Sequence, residues 1–478
     1  MSSITGKLKH DEFSVDLPSI PSLQVFVSDF GGRGDGEFDN SEVFQAAINE
    51  CSINGGGTII VTSGIWRTDA IIFKSHINLH LERGATIKFS DDYSDYPLIT
   101  SSFEGVEAIR CQSPLDAEGL TDISISGEGV IDGSGDAWRY VKKFKLTDIE
   151  WKNLIASGGV VDPSGEMWWP TERGMNGEAI VSELKKQGIT DPSQYEEARD
   201  YLRPNLLSFR NCKRVKLEGV TFQNSPAWNI HLLNCEDVHI QGVTIRNPWY
   251  SQNGDGLDLE SCHRVIVTES VFDVGDDAVC LKSGKGKQAR ISSLPTRFVE
   301  ISHCHVYSGH GAFVIGSEMS GGVSDVYLHD CSFYGTDTGL RFKSTRGRGG
   351  VIEKIDIDRI NMMKVKKEAI IFDMFYEKTD GKTLEKASVS EETPIFRSIK
   401  ITNVTSIDSE RAIVLYGLPE MPLEDLTFEN IKIKSKKGLI ANSCKKLIFK
   451  NCQINSRETK EADFIDCFDL VIDSSVIE

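Results

Sequence analysis

The segments VKLEGVTFQNS at 215–225 and VHIQGVTIRNP at 238–248 are two copies of one pattern, which returns as VIVTESVFDVG at 265–275, VEISHCHVYSG at 299–309 and VYLHDCSFYGT at 326–336. Later copies begin at Ile355, Ile399, Leu426, Leu447 and Leu470. Each copy alternates apolar and polar residues, which is typical of a half-buried strand. Strands that return roughly every two dozen residues, with Gly, Asn and Asp between them, indicate an all-β solenoid.

A second strand can be aligned in each coil: GLDLE from Gly256, AVCLK from Ala278, AFVIG from Ala312, GLRFK from Gly339 and AIIFD from Ala369. Their second and fourth residues are apolar and are predicted to face the core, so the odd positions face outward. The expected outer columns are Asp258 with Arg341, and Glu260 with Lys282, Lys343 and Asp373.

The other segments fit a single domain over residues 1–478. A cap region at 20–62 contains a predicted helix from Asn40 to Asn49 that would cover the open end of the solenoid. Residues from about 134 to 205 break the repeat, include a helical stretch near Glu178 to Gln187, and are expected to wall a cleft. Within this insertion Trp168 and Trp169 suit sugar stacking or loop packing equally.

Composition excludes several classes of protein. The net charge is −18 with no basic run, which argues against nucleic-acid binding. No apolar run approaches the roughly 20 residues of a membrane span, and the first residues lack the features of a signal peptide. The compartment therefore stays open, periplasmic or secreted if a leader was removed and otherwise cytoplasmic, and so does the oligomeric state.

The chain has 11 cysteines, an odd number without metal-ligand spacing. Five of them, Cys212, Cys235, Cys262, Cys304 and Cys331, each sit beside a short strand. This recurrence predicts small buried apolar side chains stacked from coil to coil rather than disulfides.

Carboxylates collect just before the second strands. Asp255 precedes Gly256, and Asp276 and Asp277 precede Ala278 one coil later. Stacked strands are about 4.8 Å apart, so the three groups should crowd together, raise at least one pKa and leave a protonated acid beside ionised partners. A glycosidase needs that arrangement. Turn formation explains a single Asp but not the cluster, and a calcium site is the other reading of the three.

Basic residues follow on the next coils. Arg341 and Lys343 should share one outer face and suit a sugar carboxylate, unless they form an ion-pair ladder with Asp258 and Glu260. Lys282 has the same two readings. His310 has no second His or Cys at metal-ligand spacing, so no metal and no cofactor are expected.

The motifs NGDGLD at 253–258, GDDAV at 275–279, GHG at 309–311 and RFK at 341–343 resemble, in order and spacing, the signature segments of the polygalacturonase family of glycoside hydrolases, family 28. The resemblance runs from about Asp29 to Tyr376. It implies a right-handed parallel β-helix that hydrolyses α-1,4-galacturonic linkages of pectin with inversion.

Matched position by position, the resemblance implies that Asp276 is the general acid and that Asp255 and Asp277 activate the attacking water. His310 resembles the histidine that tunes the acid.

For substrate binding, the resemblance implies that Arg341 and Lys343 grip a galacturonate carboxylate, that Tyr376 contacts the sugar and that Asn253 opens the first motif. Lys282, on the neighbouring coil, is the remaining candidate for substrate contact.

Several features resemble the exo-acting bacterial branch of this family: NGD in place of NTD, Ser308 before GHG, the stretch after His310 and the insertion. The insertion carries Trp138, Trp151, Arg173 and Arg203, which suit a wall that contacts an acidic sugar, although a dimerisation arm is the alternative. Rival functions are a rhamnogalacturonan hydrolase, a calcium-dependent pectate lyase and a non-enzymatic carbohydrate-binding solenoid.

Overall fold

The computed structural model describes residues 2–376, 385–458 and 462–473. Most of its strands pair in parallel with the equivalent strand of the next coil, and they form three ladders, one on each face of the coil. The predicted all-β solenoid is confirmed.

The first ladder consists of Ile71–Ile72, Leu115–Glu118, Leu207–Arg210, Ile230–Leu233, Leu257–Glu260, Val279–Lys282, Gly311–Ile315, Thr338–Lys343 and Glu368–Asp373. The second ladder consists of Gln24–Phe26, Gly57–Val61, Ile77–Leu81, Thr121–Gly127, Lys213–Glu218, Glu236–Gln241, His263–Thr268 and Thr296–Ser302. The third ladder consists of Asp35–Asp39, Gly64–Thr68, Ala85–Phe89, Val130–Asp132, Thr221–Gln223, Thr244–Arg246, Val271–Asp273 and His305–Ser308. The last coils are built from longer strands that continue around the corners: Val323–Tyr334, Val351–Met363, Ile395–Tyr416, Leu423–Lys450, Gln453–Ser456 and Ala462–Ile472.

The core is made of apolar columns that run along the solenoid. The predicted strand starts Val215, Val238, Val265, Val299 and Val326 are partners in the second ladder, and each is fully buried or nearly so. The first ladder stacks Leu257, Val279, Phe313, Leu340 and Ile370 in the same way. The predicted register is therefore confirmed in both ladders.

The cysteine prediction is also confirmed. All eleven thiols are free, and the five that recur beside strands are buried. Their S–H groups donate to carbonyls nearby, as from Cys212 to Arg210 O at 3.3 Å. A thiol here acts as a small core side chain.

Asparagines make the corners between the first and second ladders. Asn211 and Asn234 adopt left-handed backbone conformations, with φ of 55° and 56°. Asn tolerates this conformation better than most residues. The Asn234 side-chain amide donates to Asn211 Oδ1 at 2.7 Å, so the corners of successive coils are tied together.

In the second ladder, the residues one position before Ile123, Val215, Val238 and Val265 are charged and lie in one column. This charge column consists of Asp122, Arg214, Asp237 and Arg264. Arg214 Nη2 lies 2.8 Å from Asp122 Oδ2, and Arg264 Nε lies 2.7 Å from Asp237 Oδ1. Opposite charges therefore alternate from coil to coil.

An N-terminal hairpin, Ser3–Lys7 with Glu12–Asp16, lies across the outside of the second ladder. The backbone N–H of Asp16 donates to Asp237 Oδ1 at 3.3 Å, and Lys9 Nζ lies 2.7 Å from Asp358 Oδ2. No repeat or motif in the sequence predicted this hairpin.

Within the described residues, four α-helices flank the strands. Helix α1, Ser41–Ile53, packs Phe44 and Ile48 on the first coils, as the cap prediction required, although it ends four residues later than expected. Helix α4, Gly286–Ser292, lies in the loop after Lys282.

The insertion contains α2, Asp148–Ala156, and α3, Glu172–Lys186, with an antiparallel sheet of Val141–Lys142, Met167–Trp169 and Val160–Val161. Short 3-10 helices occur at Val27–Phe30, Tyr93–Asp95, Gly135–Ala137, Lys143–Lys145 and Pro192–Tyr201. The predicted stretch from Glu178 to Gln187 is the second half of α3, and α2 was not predicted.

A hairpin of Leu98–Phe103 and Val106–Cys111 packs against the 3-10 helix that ends the insertion. None of the helices in the described part of the chain has the length and apolar character of a transmembrane span.

The insertion's tryptophans pack inside it. Trp168 and Trp169 are buried; Trp168 Nε1 donates to Gly158 O at 2.8 Å, and the ring of Trp169 stacks on Tyr140. The loop-packing reading therefore holds for both, and Trp138 is equally enclosed.

Candidate active site

Three carboxylates meet on the outer face of the first ladder. Asp255, Asp276 and Asp277 each offer an oxygen that lies within 4.8 Å of the other two. Asp255 and Asp277 are buried, and Asp276 keeps 16% of its side chain exposed. The strand alignment thus predicted this convergence from adjacent coils.

Two glycines of the aspartate motifs, Gly254 and Gly275, let the backbone beside Asp255 and Asp276 pack closely against Ser251. A Cβ on Gly254 would lie 1.8 Å from Ser251 Oγ, and one on Gly275 would lie 2.3 Å from the same atom. Asn247 adds a clamp, because its side-chain amide donates to Gly254 O at 3.2 Å while its Oδ1 accepts from the Ser225 N–H at 2.9 Å. Ser251 and Asn247 belong to the corner between coils, and no motif in the sequence pointed to them.

The two basic residues of the RFK motif hold Asp277. Lys343 Nζ lies 2.7 Å from Asp277 Oδ2, and Arg341 Nη1 lies 3.3 Å from Oδ1. The ring of Tyr376 covers them, with its centroid 5.0 Å from Lys343 Nζ and 5.6 Å from Arg341 Cζ. Arg341 and Lys343 therefore do not form the ion-pair ladder with Asp258 and Glu260 that was their alternative reading.

Lys282 does form the ion pair that was its alternative reading. Its Nζ lies 3.1 Å from Asp258 Oδ1, 3.5 Å from Glu318 Oε2 and 3.9 Å from Asp255 Oδ2. The Trp228 ring lies beneath the ammonium group at 3.9 Å. Only 5% of the Lys282 side chain is exposed, so facing outward from the core does not mean facing solvent here.

His310 contacts Asp276 twice. The ring Nδ1 lies 3.0 Å from Asp276 Oδ1, and the backbone N–H donates to Asp276 O at 2.8 Å. On the far side, the ring Nε2 lies 3.5 Å from Nζ of Lys145, which the insertion contributes. Lys145 was missed because the insertion has no repeat from which a register could be derived.

The pKa values of Asp255 and Asp276 shift in opposite directions. Burial and the negative charges of Asp276 and Asp258 raise the pKa of Asp255 well above its ordinary value. Burial also acts to raise the pKa of Asp276, but the hydrogen bond and charge of His310, with Lys343 and Lys145, outweigh it and lower that pKa. This arrangement favours a proton on Asp255, whereas the family resemblance assigns the acid to Asp276.

The insertion reaches the site through Arg203. Its Nη2 donates to Asn253 Oδ1 at 2.9 Å and its Nη1 to Gln252 O at 3.0 Å. Arg173 lies elsewhere and pairs with Glu196 and Asp200 inside the insertion. Of the two arginines expected at the wall, Arg203 alone is in contact with the motif residues.

The spacing of the three carboxylates would also suit a cation. Lys282, Arg341 and Lys343 already lie against Asp255 and Asp277, however, and would repel a divalent ion at that position. The donor set and its surroundings thus fit proton transfer better than calcium binding.

Comparisons with a family model, with curated proteins and with solved structures all find glycoside hydrolases that act on polygalacturonate or are named as polygalacturonases. The family model described as Glycosyl hydrolases family 28 matches residues 142–453. The "Probable polygalacturonase" of Vitis vinifera is 28% identical over 409 residues, which are 85% of this chain and 73% of the relative. The exo-poly-alpha-D-galacturonosidase of Dickeya chrysanthemi is 26% identical over 464 residues, covering 89% and 74%. The hyperthermoactive exopolygalacturonase of Thermotoga maritima superposes with a TM-score of 0.74 at 29% identity, covering 96% of this chain and 94% of that one.

Proposed function

The chain belongs to family 28 of the glycosyl hydrolases and is a glycoside hydrolase, and from that premise we propose that it removes galacturonic acid units from the end of pectic chains, with inversion. The observation that carries the proposal is the group of three carboxylates within 4.8 Å of one another, beside Arg341 and Lys343. Carboxylates supply the acid and the base of glycoside hydrolysis, and the cations select a charged sugar.

In this mechanism Asp276 protonates the glycosidic oxygen, and Asp255 with Asp277 activates a water. Asp276 is suited to reach the substrate because it is the most exposed of the three. A sugar carboxylate bound by Lys343 would offset the positive charge that lowers the pKa of Asp276. Substrate binding itself would thereby help to move the proton onto the acid.

The carboxylate spacing bears on stereochemistry. Inverting pairs are usually about 6.5 to 9.5 Å apart and retaining pairs about 5 to 5.5 Å, so 4.8 Å between oxygens is short for inversion. Inversion is supported instead by the state of Asp277, whose two oxygens are engaged by Arg341 and Lys343. A carboxylate held in this way is a poor nucleophile but can still orient water.

End-wise action is supported by the segments at one end of the carboxylate group. Arg203 of the insertion contacts Asn253, and Phe103 of the neighbouring hairpin stacks on Trp228 at 4.8 Å. The guanidinium of Arg110 lies 3.8 Å from the Phe103 ring centroid and backs this contact. Such a wall would leave a pocket for a chain terminus instead of a groove open at both ends.

The rival functions predict different products. A calcium-dependent lyase would leave an unsaturated sugar and would stop in chelator, a rhamnogalacturonan hydrolase would spare homogalacturonan, and a binding solenoid would leave the polymer intact. A solenoid that only binds sugar has no need of three carboxylates within 4.8 Å of one another.

One digestion experiment tests the proposal. Polygalacturonate should release monogalacturonate from the first minutes, in the presence of chelator, while viscosity falls slowly. Proton NMR of the first product should show the β-anomer, because the α-linkage is inverted. Early mixed oligomers with a rapid fall in viscosity would refute end-wise action, and an initial α-anomer would refute inversion.

A further inference from the structure

The third ladder carries an exposed apolar column on coils that follow the three aspartates. Tyr307, Tyr334, Met363 and Ile407 stand in succession on the outer face of four coils. Between 41% and 54% of each residue is exposed. Contiguous apolar side chains on the outer face of a soluble protein mark a surface that binds something. These four residues are called the apolar column below.

A polar column runs beside the apolar column, two positions earlier in each strand. His305, Ser332, Asn361 and Thr405 are Cα partners on the same coils, and His305 Nδ1 lies 2.7 Å from Ser332 Oγ. The two columns line a groove of about 410 Å³. Flat apolar side chains next to hydrogen-bonding groups suit a sugar chain, because sugar rings have apolar faces and edges that carry hydroxyl groups.

Both columns continue as lysine on the next coil. Lys432 is the Cα partner of Thr405 in the polar column, and Lys434 is the Cα partner of Ile407 in the apolar column. Both lysines are exposed. A ligand that runs along the groove therefore meets positive charge at this end.

The lysines at the groove lack a carboxylate partner. Within the described residues, Lys364, Lys432 and Lys434 make no ion pair within 4.0 Å, whereas two lysines further along the strand share Glu410. Asp408 acts on Lys364 only from beyond that distance. In a protein whose net charge is −18, three cations without an ion pair beside one groove favour an anionic ligand.

A second copy of the chain is the other occupant that an exposed apolar face can bind. Stable protein interfaces bury about 1,200 to 2,000 Å² and have an apolar centre from which lysine is depleted. The apolar column is one residue wide, with the polar column on one side and Lys364 on the other; Lys364 Nζ lies 5.3 Å from the centroid of the Tyr334 ring. This shape and charge fit an extended anionic chain better than a second protein surface.

We propose that this groove is a second binding site for a polyanionic sugar chain of the pectic class. Its lining shares no residue with the carboxylate group, so it has no part in bond cleavage. Sugar rings lie on Tyr307 and Tyr334, and the carboxylates of later units reach Lys432 and Lys434. The choice of a pectic chain rests on the proposed function, whereas the site lies outside it. Such a site keeps the protein on a polymer between successive cleavages at chain ends.

The test measures polymer binding while the active site is disabled and occupied. Calorimetry with long polygalacturonate uses Asp276→Asn in saturating digalacturonate, which is too short to span the four coil steps, about 19 Å, from Tyr307 to Lys434. Residual polymer binding is expected. It should weaken about tenfold in Tyr307→Ala/Tyr334→Ala and about threefold in Lys432→Met/Lys434→Met.

Two control variants match these substitutions. Ile65→Ala removes an equally exposed apolar side chain from the first coils of the same ladder, and Lys400→Met removes a lysine that pairs with Glu429 on the second ladder. Both should bind the polymer as the parent does, and a neutral galactan should not compete. Charge reversal in Lys434→Glu should weaken binding more than the neutral substitution, and thermal melts check that each variant is folded.

Parental affinity in the groove variants would overturn the proposal, and so would the loss of all polymer binding in digalacturonate or equal competition by the neutral galactan. Self-association that the tyrosine substitutions abolish, without polymer binding, would assign the face to a second copy instead. In the otherwise wild-type protein, the groove substitutions should leave kcat/KM on digalacturonate unchanged. If the wild type cleaves no galacturonide, the proposed function fails, while polymer binding still decides the groove.

Discussion

Two of the sets of charged side chains that stack along this solenoid differ in the order of their charges. In the charge column Asp122, Arg214, Asp237 and Arg264 alternate in sign, with paired atoms 2.7 to 2.8 Å apart. On the first ladder three aspartates share one small volume, with oxygens within 4.8 Å. Both sets use the same coil-to-coil spacing.

The charge column stabilises the solenoid, whereas the three aspartates serve chemistry, although both are carried by the same coils. Alternating charges at this spacing stabilise one another. Like charges at the same spacing repel, and burial together with the negative charges of Asp276 and Asp258 raises the pKa of Asp255 well above its ordinary value. A fold keeps such a costly arrangement where chemistry requires it.

The largest expected effect is the loss of turnover in Asp276→Asn. The variant removes the proton donor with little change of shape, so kcat on polygalacturonate should fall on the order of 10²- to 10⁴-fold. Steady-state kinetics with a thermal melt to check folding would measure it. A folded variant that keeps a tenth of the wild-type rate would exclude Asp276 as the acid.

A smaller effect is expected for Asp255→Asn, which should lower activity but raise the stability of the folded protein. The raised pKa means that ionised Asp255 destabilises the folded state, and Asn cannot ionise. Activity should drop, while the free energy of unfolding at neutral pH should rise by about 0.5 to 2 kcal/mol.

The pH dependence gives the check on that variant. Because the folded pKa is raised, wild-type Asp255 stabilises the protein at low pH and loses this contribution as pH rises through the folded pKa. The advantage of Asp255→Asn should therefore disappear as the pH is lowered below the ordinary range of a carboxyl group. Urea unfolding at several pH values measures this, and a gain independent of pH would contradict the crowding argument.

The smallest effect is expected in the charge column. Arg264→Met removes the partner of Asp237 but keeps the side-chain stem, and a partly exposed ion pair of this kind contributes about 1 kcal/mol or less. The free energy of unfolding should fall by that amount, with unchanged kcat/KM. A double-mutant cycle with Asp237→Asn isolates the pair, and a large loss of activity would show that the column is coupled to the site.

Much of the fold and of the site was accessible from the sequence because the coil repeats. Val215, Val238 and Val265 defined one register, and Leu257 with Val279 defined another. A period of two then assigns every residue of a strand to the core or to the outer face. The approach of Asp255 to Asp277 follows directly, since both stand before aligned strands.

The sequence alone thus determined the register of the coils and which three carboxylates, Asp255, Asp276 and Asp277, come together. Only the tertiary structure decided that Lys282 is enclosed among carboxylates, that Lys343 and Arg341 hold Asp277, and that Lys145 reaches His310. The physical reason is that the alternation of apolar and polar residues in a strand tells only whether a side chain points toward the core or away from it. The ion pairs and the pKa of an outward-pointing side chain depend on which other residues cover the outer face. That cover comes from Trp228, Glu318 and Tyr376 outside the aligned strands, and from Lys145 of an insertion without a repeat, so the contacts arise from packing over long sequence separations.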